Sequence, residues 1–127
     1  MRILLISEDS LLQSIVKNFG ENTQASTSVY YADPKPIKVL SNFLSTKPSV
    51  LIVDDDYLQP NSVEILESIR NVNKNMKIIF ASSDSSLELG KKISQLGIYY
   101  YAIKPIEESE IKELLDSLLN NKSKQIN

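Results

Sequence analysis

The chain has 127 residues, a length that fits one domain of ordinary size, and its formal net charge of −2 suggests no basic field for nucleic acid or an anionic membrane. It has no Cys and no His, which excludes disulfides, thiolate or imidazole metal sites, cysteine nucleophiles and Ser-His-Asp triads. Its three Gly are too scattered for a glycine-rich nucleotide loop, so any chemistry must use carboxylates, hydroxyls and amines.

The first part of the chain predicts a strand, a helix and a second strand. The aliphatic run Ile3 to Ile6 is long enough for a strand that is buried on both faces. Asp9 or Ser10 can cap a helix, and Gly20 sits where a helix C-terminus favours a left-handed residue. A weaker, β-branched and aromatic stretch over residues 26–31 predicts the second strand.

The rest of the chain continues this alternation. Asp33-Pro34 opens a second helix, and residues 50–53 are the most strand-like segment of the sequence. Further strands are predicted over residues 77–81 and 98–103, with Gly97 closing the helix between them. Apolar positions recur at helical spacing in five predicted helices: Leu11, Leu12, Ile15, Val16 and Phe19; Ile37, Leu40, Phe43 and Leu44; Val63, Leu66 and Ile69; Leu87, Leu89, Ile93 and Leu96; Ile111, Leu114, Leu115 and Leu118.

Alternating β and α segments of this length predict one α/β domain. They imply a doubly wound parallel sheet with helices on both faces, for which we expect the flavodoxin-like (βα)5 strand order 2-1-3-4-5. We assign residues 1–120 to this domain and residues 121–127 to a polar C-terminal tail. No segment has the length and composition of a signal peptide or a membrane span, so we expect a cytoplasmic protein.

Polar residues follow four of the predicted strands. In such sheets, ligands bind outside the carboxyl ends of the strands, where the strand order reverses. Strands one and three meet there and lead into residues 7–9 and 54–56, which contain two acidic clusters, while strands four and five lead into Ser82 and Lys104. An Asp-Asp-Asp run alone is most often a solvated loop or a helix cap. Two acidic clusters at one edge need a counter-ion, and a hard divalent cation such as Mg²⁺ is suitable.

One motif at these strand ends points to a signalling family. The aliphatic run at residues 50–53 leads directly into Asp54, and an apolar helix start follows at residues 63–66. In this pattern the chain resembles a response-regulator receiver domain, the phosphoacceptor module of two-component signalling, over roughly residues 2–119. The resemblance implies that Asp54 is the phosphorylated residue. Asp56 is the second choice, because that register would put the helix out of step.

Other family positions match one by one. Ser82 falls at the Ser/Thr position that hydrogen-bonds a phosphoryl oxygen, and Lys104-Pro105 resembles the family's lysine followed by a proline, typically in a cis peptide. Tyr101 falls at the aromatic position thought to report phosphorylation by changing rotamer. The resemblance therefore implies that Lys104 and Ser82 bind the phosphoryl group, and that Ser82 and Tyr101 form the switch.

The resemblance also implies a metal ion and partners. Mg²⁺ would be held by Glu8, Asp54 and the main-chain carbonyl of Asp56, and would assist phosphoryl transfer from a sensor histidine kinase or a phosphotransfer protein. The switched surface would comprise the fourth helix, the fifth strand and the fifth helix, through which family members commonly form homodimers. We expect self-phosphorylation and slow autodephosphorylation at most, without turnover chemistry, and no direct nucleic-acid or membrane binding by this domain.

Several positions depart from the family pattern. The paired acids after strand one appear here as Ser7-Glu8, and Asp9 lies one place late. In the loop after strand three, Leu58 and Ser62 stand where the usual proline and glycine would be. These departures bear on metal affinity and on the rate of phosphorylation rather than on the fold.

Two other functions compete with the phosphoacceptor. A pseudo-receiver would keep the fold and bind a partner without phosphorylation; Ser7 and the altered loop favour it, whereas Asp54, Ser82 and Lys104 oppose it. A flavodoxin-like flavin or nucleotide binder would share the topology, but the acids after strand one would repel a phosphate that lacks a metal. We therefore expect a phosphoacceptor first and a pseudo-receiver second.

Overall fold

The computed structural model describes the backbone of residues 1–126 and the side chains of residues 1–121. Strands and helices alternate along the chain, as predicted. Their bounds are β1 Arg2–Ile6, α1 Ser10–Asn22, β2 Ser26–Tyr30, α2 Pro36–Thr46, β3 Val50–Asp54, α3 Asp55–Leu58, α4 Ser62–Val72, β4 Lys77–Ser82, α5 Leu87–Ser94, β5 Tyr100–Ile103 and α6 Glu108–Ile126.

The five strands form one parallel sheet in the order β2-β1-β3-β4-β5, which confirms the predicted doubly wound topology. Because β1 lies between β2 and β3, the strand order reverses at the β1–β3 pair. The register pairs Ile6 with Val53. The residues that follow, Ser7 and Asp54, are therefore neighbours at the carboxyl edge of the sheet.

Apolar side chains cover both faces of the sheet. One face packs against α1 and α6, and the other packs against α2, α4 and α5. In β3 the side chains alternate between these two cores, with Val50 and Ile52 on the first and Leu51 and Val53 on the second. Since this alternation continues at the end of the strand, Asp54 and Asp55 start on opposite faces.

Residues 55–58 form the one-turn helix α3, where the sequence predicted only a loop. Asp54 caps this turn, because its side chain accepts a hydrogen bond from the N–H of Asp56. Tyr57 and Leu58 are buried beneath the turn. The predicted fourth and fifth helices consequently become α5 and α6.

Other element boundaries differ from the prediction by a few residues. α2 begins at Pro36, later than the predicted start, and β5 begins at Tyr100, two residues late. Gly97 has a φ of 69° just after α5, which confirms its predicted left-handed role. α6 continues into the segment 121–127 that was assigned to a polar tail, and the domain boundary at residue 120 stays a prediction.

Gly20 lies inside α1, so its predicted role at the helix C-terminus is wrong. The helix continues to Asn22. A Cβ at position 20 would lie 2.7 Å from Oγ1 and 2.8 Å from Cγ2 of Thr27 in β2. Glycine is required here because it lets α1 pack closely on the sheet.

Gly20→Ala is expected to destabilise the domain by about 1–2 kcal/mol, because both branches of the stiff Thr27 side chain oppose the added methyl group. Gly90→Ala is the matched control. A Cβ there meets no atom within 4 Å, so the better helix propensity of alanine should stabilise α5 by about 0.5–1 kcal/mol. Urea denaturation would measure both free energies of unfolding. A Gly20 variant as stable as the wild type would contradict the packing role.

Candidate functional site

The carboxylate of Asp54 lies at the carboxyl edge of the sheet and is enclosed by three donors. Ser7 Oγ donates to Oδ2 at 2.7 Å, while Lys104 Nζ and the N–H of Asp56 donate to Oδ1 at 2.9 Å and 3.1 Å. Asp54 is only 2% exposed. A buried carboxylate is costly unless it is paired and hydrogen-bonded, and these three donors meet that requirement.

Lys104 follows β5 and extends its ammonium across this edge. Its Nζ lies 2.9 Å from Asp54 Oδ1, 3.1 Å from Asp56 Oδ2 and 3.5 Å from Asp9 Oδ2. The Lys104-Pro105 peptide bond is cis, as the resemblance implied. Burial opposes the charge of Lys104, but the hydrogen bonds and the charges of Asp54 and Asp56 outweigh it, so its pKa lies above the ordinary 10.5.

The side chain of Asp56 closes the cluster from the α3 side. Its Oδ1 accepts a hydrogen bond from Ser83 Oγ at 2.8 Å, and its Oδ2 faces Lys104. Burial alone would raise the pKa of Asp56. The hydrogen bonds from Ser83 and Lys104, together with the charge of Lys104, outweigh burial and hold this pKa below its ordinary value of 3.8.

The loop after β1 is fixed by hydrogen bonds to Ser7 and Asp9. The N–H of Asp9 donates to Ser7 Oγ at 2.9 Å, and Gln13 Nε2 donates to the main-chain oxygen of Ser7 at 2.9 Å. The side chain of Asp9 caps α1, as one of the two predicted caps. Ser7 thus supplies a buried hydroxyl to Asp54 at the position where the family pattern has an acid.

A second buried carboxylate, Asp55, lies on the other face of β3 and was not among the predicted site residues. Asp55 is 2% exposed and Ser82 is fully buried. Ser82 Oγ donates to Asp55 Oδ2 at 2.6 Å, and Gln59 Nε2 donates to the same oxygen at 2.9 Å. The signal in the sequence was the Asp-Asp-Asp run itself, since alternation at the end of a buried strand turns two adjacent acids to opposite faces.

Tyr101 belongs to β5, and its side chain contacts the loop after β4. Its hydroxyl donates to the main-chain oxygen of Asp84 at 2.8 Å, and its ring meets Phe80 edge-on at a centroid distance of 5.2 Å. Burial, followed by the charges of Asp55 and Asp84, raises the pKa of Tyr101. The predicted switch residue therefore contacts the loop that follows Ser82, while its switching role stays a prediction.

Only part of the predicted metal site is brought together. Asp54 and Asp56 share the ammonium of Lys104, whereas Glu8 is exposed. Among the described residues, no three Asp, Glu, Cys or His side chains converge in a way that could hold a metal ion. Carboxylate oxygens suit Mg²⁺, but here the ammonium of Lys104 lies 2.9 Å from Asp54 and 3.1 Å from Asp56 and competes with a metal ion for them. The magnesium site stays a prediction.

Comparison with protein families explains the arrangement of these strand ends. The family model described as the response regulator receiver domain matches residues 3–116, which include Asp54, Ser82 and Lys104. This chain belongs to the response-regulator receiver family. The doubly wound sheet described above is thus the fold of a response-regulator receiver domain.

Individual relatives agree with this assignment over most of the chain. The receiver domain is similar to chemotaxis protein CheY of Treponema pallidum (strain Nichols), with 29% identity over 119 residues that cover 91% of this chain and 81% of that protein. The crystal structure of a CheY-like response regulator receiver domain protein from Methanospirillum hungatei JF-1 has a TM-score of 0.79 at 19% identity. That match covers 98% of this chain and 97% of the other, and it shows the shared fold.

A third relative is much longer than this chain. The glycine–tRNA ligase beta subunit of Rickettsia peacockii (strain Rustic) is 28% identical over 113 residues, which cover 89% of this chain but 16% of that subunit. The likeness concerns a segment of the subunit, so its activity is not assigned to the receiver domain. Within the residues described, none of the helices is both long and apolar enough to span a bilayer.

The lowered pKa of Asp56 and the raised pKa of Lys104 predict how stability depends on pH. Asp56 should stabilise the fold above its ordinary pKa of 3.8, and this contribution should be lost as the pH falls through the lower folded value. Lys104 should stabilise the fold below 10.5 and lose its contribution as the pH rises through its higher folded pKa. Urea denaturation between about pH 7 and about pH 3 would measure the acid part.

Lys104→Met should flatten this acid-dependent loss of stability, because Asp56 then lacks its ammonium partner. The matched control is Lys92→Met, since Lys92 pairs with Glu88 at 3.6 Å on the exposed surface of α5. Identical acid profiles for the wild type and the Lys104 variant would contradict the assigned cause of the Asp56 pKa shift.

Proposed function

We propose that this receiver domain accepts a phosphoryl group on Asp54 and uses it as a signalling switch. The observation that carries the proposal is the ion pair in which Lys104 Nζ lies 2.9 Å from Asp54 Oδ1. The pair stands where the strand order reverses, at the edge at which such sheets bind ligands. A carboxylate nucleophile beside a fixed cation suits the transfer of an anionic phosphoryl group.

Transfer of the phosphoryl group to Asp54 does not require the acceptor carboxylate to lose a proton. A carboxylate oxygen of Asp54 donates an electron pair to phosphorus and forms a new O–P bond. The bond from phosphorus to the donor breaks, and the leaving group keeps its electron pair. From phosphohistidine the leaving imidazole takes up a proton from solvent, and from acetyl phosphate acetate leaves as the anion. The product is an aspartyl phosphate with three terminal oxygens.

Donors already placed around Asp54 would stabilise the charge of the transferred group. The ammonium of Lys104 would move from Oδ1 to a phosphoryl oxygen, since its side chain is 17% exposed and long enough to follow the charge. The N–H of Asp56, which donates to Asp54 Oδ1 at 3.1 Å, would stabilise the same group. Ser7 Oγ would hold Oδ2 and so fix the orientation of the carboxylate.

The phosphoryl group would then be read through Ser82 and Tyr101. Its oxygens would accept a hydrogen bond from Ser82, draw the loop after β4 inward and release Tyr101 from the main-chain oxygen of Asp84. The repacking would alter the surface formed by α5, β5 and α6. We propose that a sensor histidine kinase or phosphotransfer protein supplies the phosphoryl group, and that a target or a second copy binds the altered surface.

Asp54→Ala is expected to abolish labelling by acetyl phosphate, because it removes the proposed acceptor carboxylate, which ends β3 and lies 2.9 Å from Lys104 Nζ. Mass spectrometry of the intact protein would measure labelling, and circular dichroism would confirm that the fold is kept. Asp56→Asn is the matched control and should still be labelled. Labelling that persists without Asp54 and disappears without Asp56 would move the acceptor to the second choice.

Magnesium binding gives a separate test of the predicted metal ligands. Receiver domains generally bind Mg²⁺, whereas Ser7 contributes a hydroxyl beside Asp54 and Lys104 fills the cluster. We expect weak binding at Glu8, Asp54 and the carbonyl of Asp56 in the wild type. Ser7→Asp should bind about tenfold more tightly, because a hard cation gains affinity with each added carboxylate.

Isothermal titration with MgCl₂ would compare the Ser7 variant with Ser10→Asp, which adds an equal charge at an exposed position next to the site. The Ser7 variant should also unfold at lower urea concentration without metal, since it brings two carboxylates together in a buried place. Equal magnesium affinities for the two variants would count against a metal ion beside Asp54.

A pseudo-receiver is the second candidate, and the enclosure of Asp54 favours it. Asp54 is 2% exposed, and its oxygens already accept hydrogen bonds from Ser7, Lys104 and Asp56. Such a module would bind its partner through a surface that does not depend on phosphorylation. The labelling experiment separates the two candidates, because a pseudo-receiver stays unlabelled at saturating acetyl phosphate and Mg²⁺.

A further inference from the structure

We propose that Asp55 is a positioning residue that holds the hydroxyl of Ser82 away from Asp54 until the acceptor is phosphorylated. The proposal deepens the function proposed for Asp54 and rests on it, since Ser82 has a phosphoryl group to bind only if Asp54 is the acceptor. The carrying observation is the buried hydrogen bond from Ser82 Oγ to Asp55 Oδ2, at 2.6 Å.

A serine hydroxyl has a single proton to donate. While Ser82 donates it to Asp55, the hydroxyl cannot donate to an oxygen on Asp54. Both partners are at most 2% exposed, so water does not replace Asp55 as the acceptor. A hydrogen bond to a charged acceptor in such a place is stronger than one between neutral groups, and it makes the turned-away hydroxyl the preferred state.

Asp55 is itself held firmly in place. Gln59 Nε2 donates to its Oδ2 at 2.9 Å, and its main-chain oxygen accepts hydrogen bonds from the N–H of Gln59 at 2.9 Å and from Ser62 Oγ at 3.3 Å. These contacts come from the end of α3 and the start of α4. Ser82 is therefore bound to an acceptor that is fixed by the scaffold, so that release must come from movement on the Ser82 side.

The hydrogen bond is linked to the predicted switch residue through the loop after β4. The N–H of Asp84 donates to Ser82 Oγ at 2.9 Å, and the hydroxyl of Tyr101 donates to the main-chain oxygen of Asp84 at 2.8 Å. Asp55, Ser82, Asp84 and Tyr101 thus form one continuous series of contacts. Turning the Ser82 hydroxyl toward Asp54 removes the acceptor of the Asp84 N–H and loosens the contact that holds Tyr101.

The hydrogen bond from Ser82 to Asp55 can break without leaving the Asp55 carboxylate with no hydrogen-bond donor. Gln59 would still donate to it, and a cavity of about 360 Å³ adjoins Asp55 and is lined by further polar side chains, among them Ser62 and Ser86. Once Ser82 has turned away, water in a polar cavity of that size can hydrogen-bond to the Asp55 oxygen that Ser82 has left. Asp55 therefore biases an equilibrium between two positions of Ser82, and phosphorylation of Asp54 has to overcome this bias.

The test uses the whole unphosphorylated chain and two reporters on the Ser82 side. Asp55→Leu, which removes the acceptor, should speed hydrogen exchange of the Asp84 amide roughly tenfold and shift the ¹³C resonances of the Tyr101 ring. Asp55→Asn is the conservative variant, because its side-chain oxygen still accepts from Ser82, and it should restore both reporters to near wild-type values. Wild-type values of both reporters in the leucine variant would overturn the proposal.

Ser82→Ala breaks the same contact from the other side and keeps the proposal testable if the leucine variant unfolds. It should shift the Tyr101 resonances in the same direction as Asp55→Leu, and unchanged Tyr101 resonances in Ser82→Ala would overturn the proposal. Asp55→Leu combined with Ser82→Ala should add nothing to the shift that Ser82→Ala gives alone. Additive effects of the two changes on the Tyr101 shift would refute the coupling.

Neither reporter requires a phosphoryl group, so the proposal and the proposed function fail separately. Absence of acetyl phosphate labelling together with the expected reporter shifts would refute the phosphoacceptor function while leaving Asp55 as the residue that positions Ser82. Labelling of Asp54 together with unchanged reporters would refute the role of Asp55 alone.

Discussion

The ammonium of Lys104 lies between carboxylates from three segments of the chain, and the arrangement of the functional edge depends on it. Asp9 follows β1, Asp54 ends β3 and Asp56 belongs to α3, and their oxygens lie 2.9–3.5 Å from the same nitrogen. Without that cation the three acids would repel one another, and Asp54, the one buried away from water, would have no counter-ion among the described contacts. The parallel sheet brings the segments together, and Lys104 makes their proximity favourable.

Two serine hydroxyls donate hydrogen bonds to carboxylate oxygens that Lys104 does not contact. Ser7 donates to Asp54 and Ser82 donates to Asp55, so each of the two adjacent buried carboxylates of β3 and α3 has a neutral donor on its own face of the sheet. A hydroxyl satisfies a lone pair without adding charge, which leaves Lys104 free to pair with Asp56 as well. The same substitution of hydroxyl for carboxylate beside Asp54 weakens the case for a tightly bound metal ion and makes the protein's own lysine the principal counter-ion.

Much of the fold could be predicted from periodicity and composition alone. Continuous aliphatic runs identified β1 and β3, and shorter apolar, β-branched or aromatic stretches identified the other three strands that the structure describes. Helical spacing of apolar residues identified the five longer helices, because burial of one face imposes its period on the sequence. Gly20 was misjudged because a glycine that ends a helix and a glycine that allows close packing look alike in one dimension; only Thr27, across the interface, distinguishes them. α3 was missed because a four-residue helix is too short to show a period.

The candidate site also has one part that the sequence predicted and another part that it did not. The sequence by itself determined which chemical groups stand at the strand ends, since Asp54, Ser82 and Lys104 each follow a recognisable buried run. Only the tertiary structure decided how those groups pair: Lys104 with Asp54 and Asp56, and Ser82 with Asp55. A hydroxyl has one proton to donate, and an ammonium contacts only the oxygens within hydrogen-bond distance. Which oxygens those are depends on differences of a few tenths of an ångström between strands that are far apart in the chain.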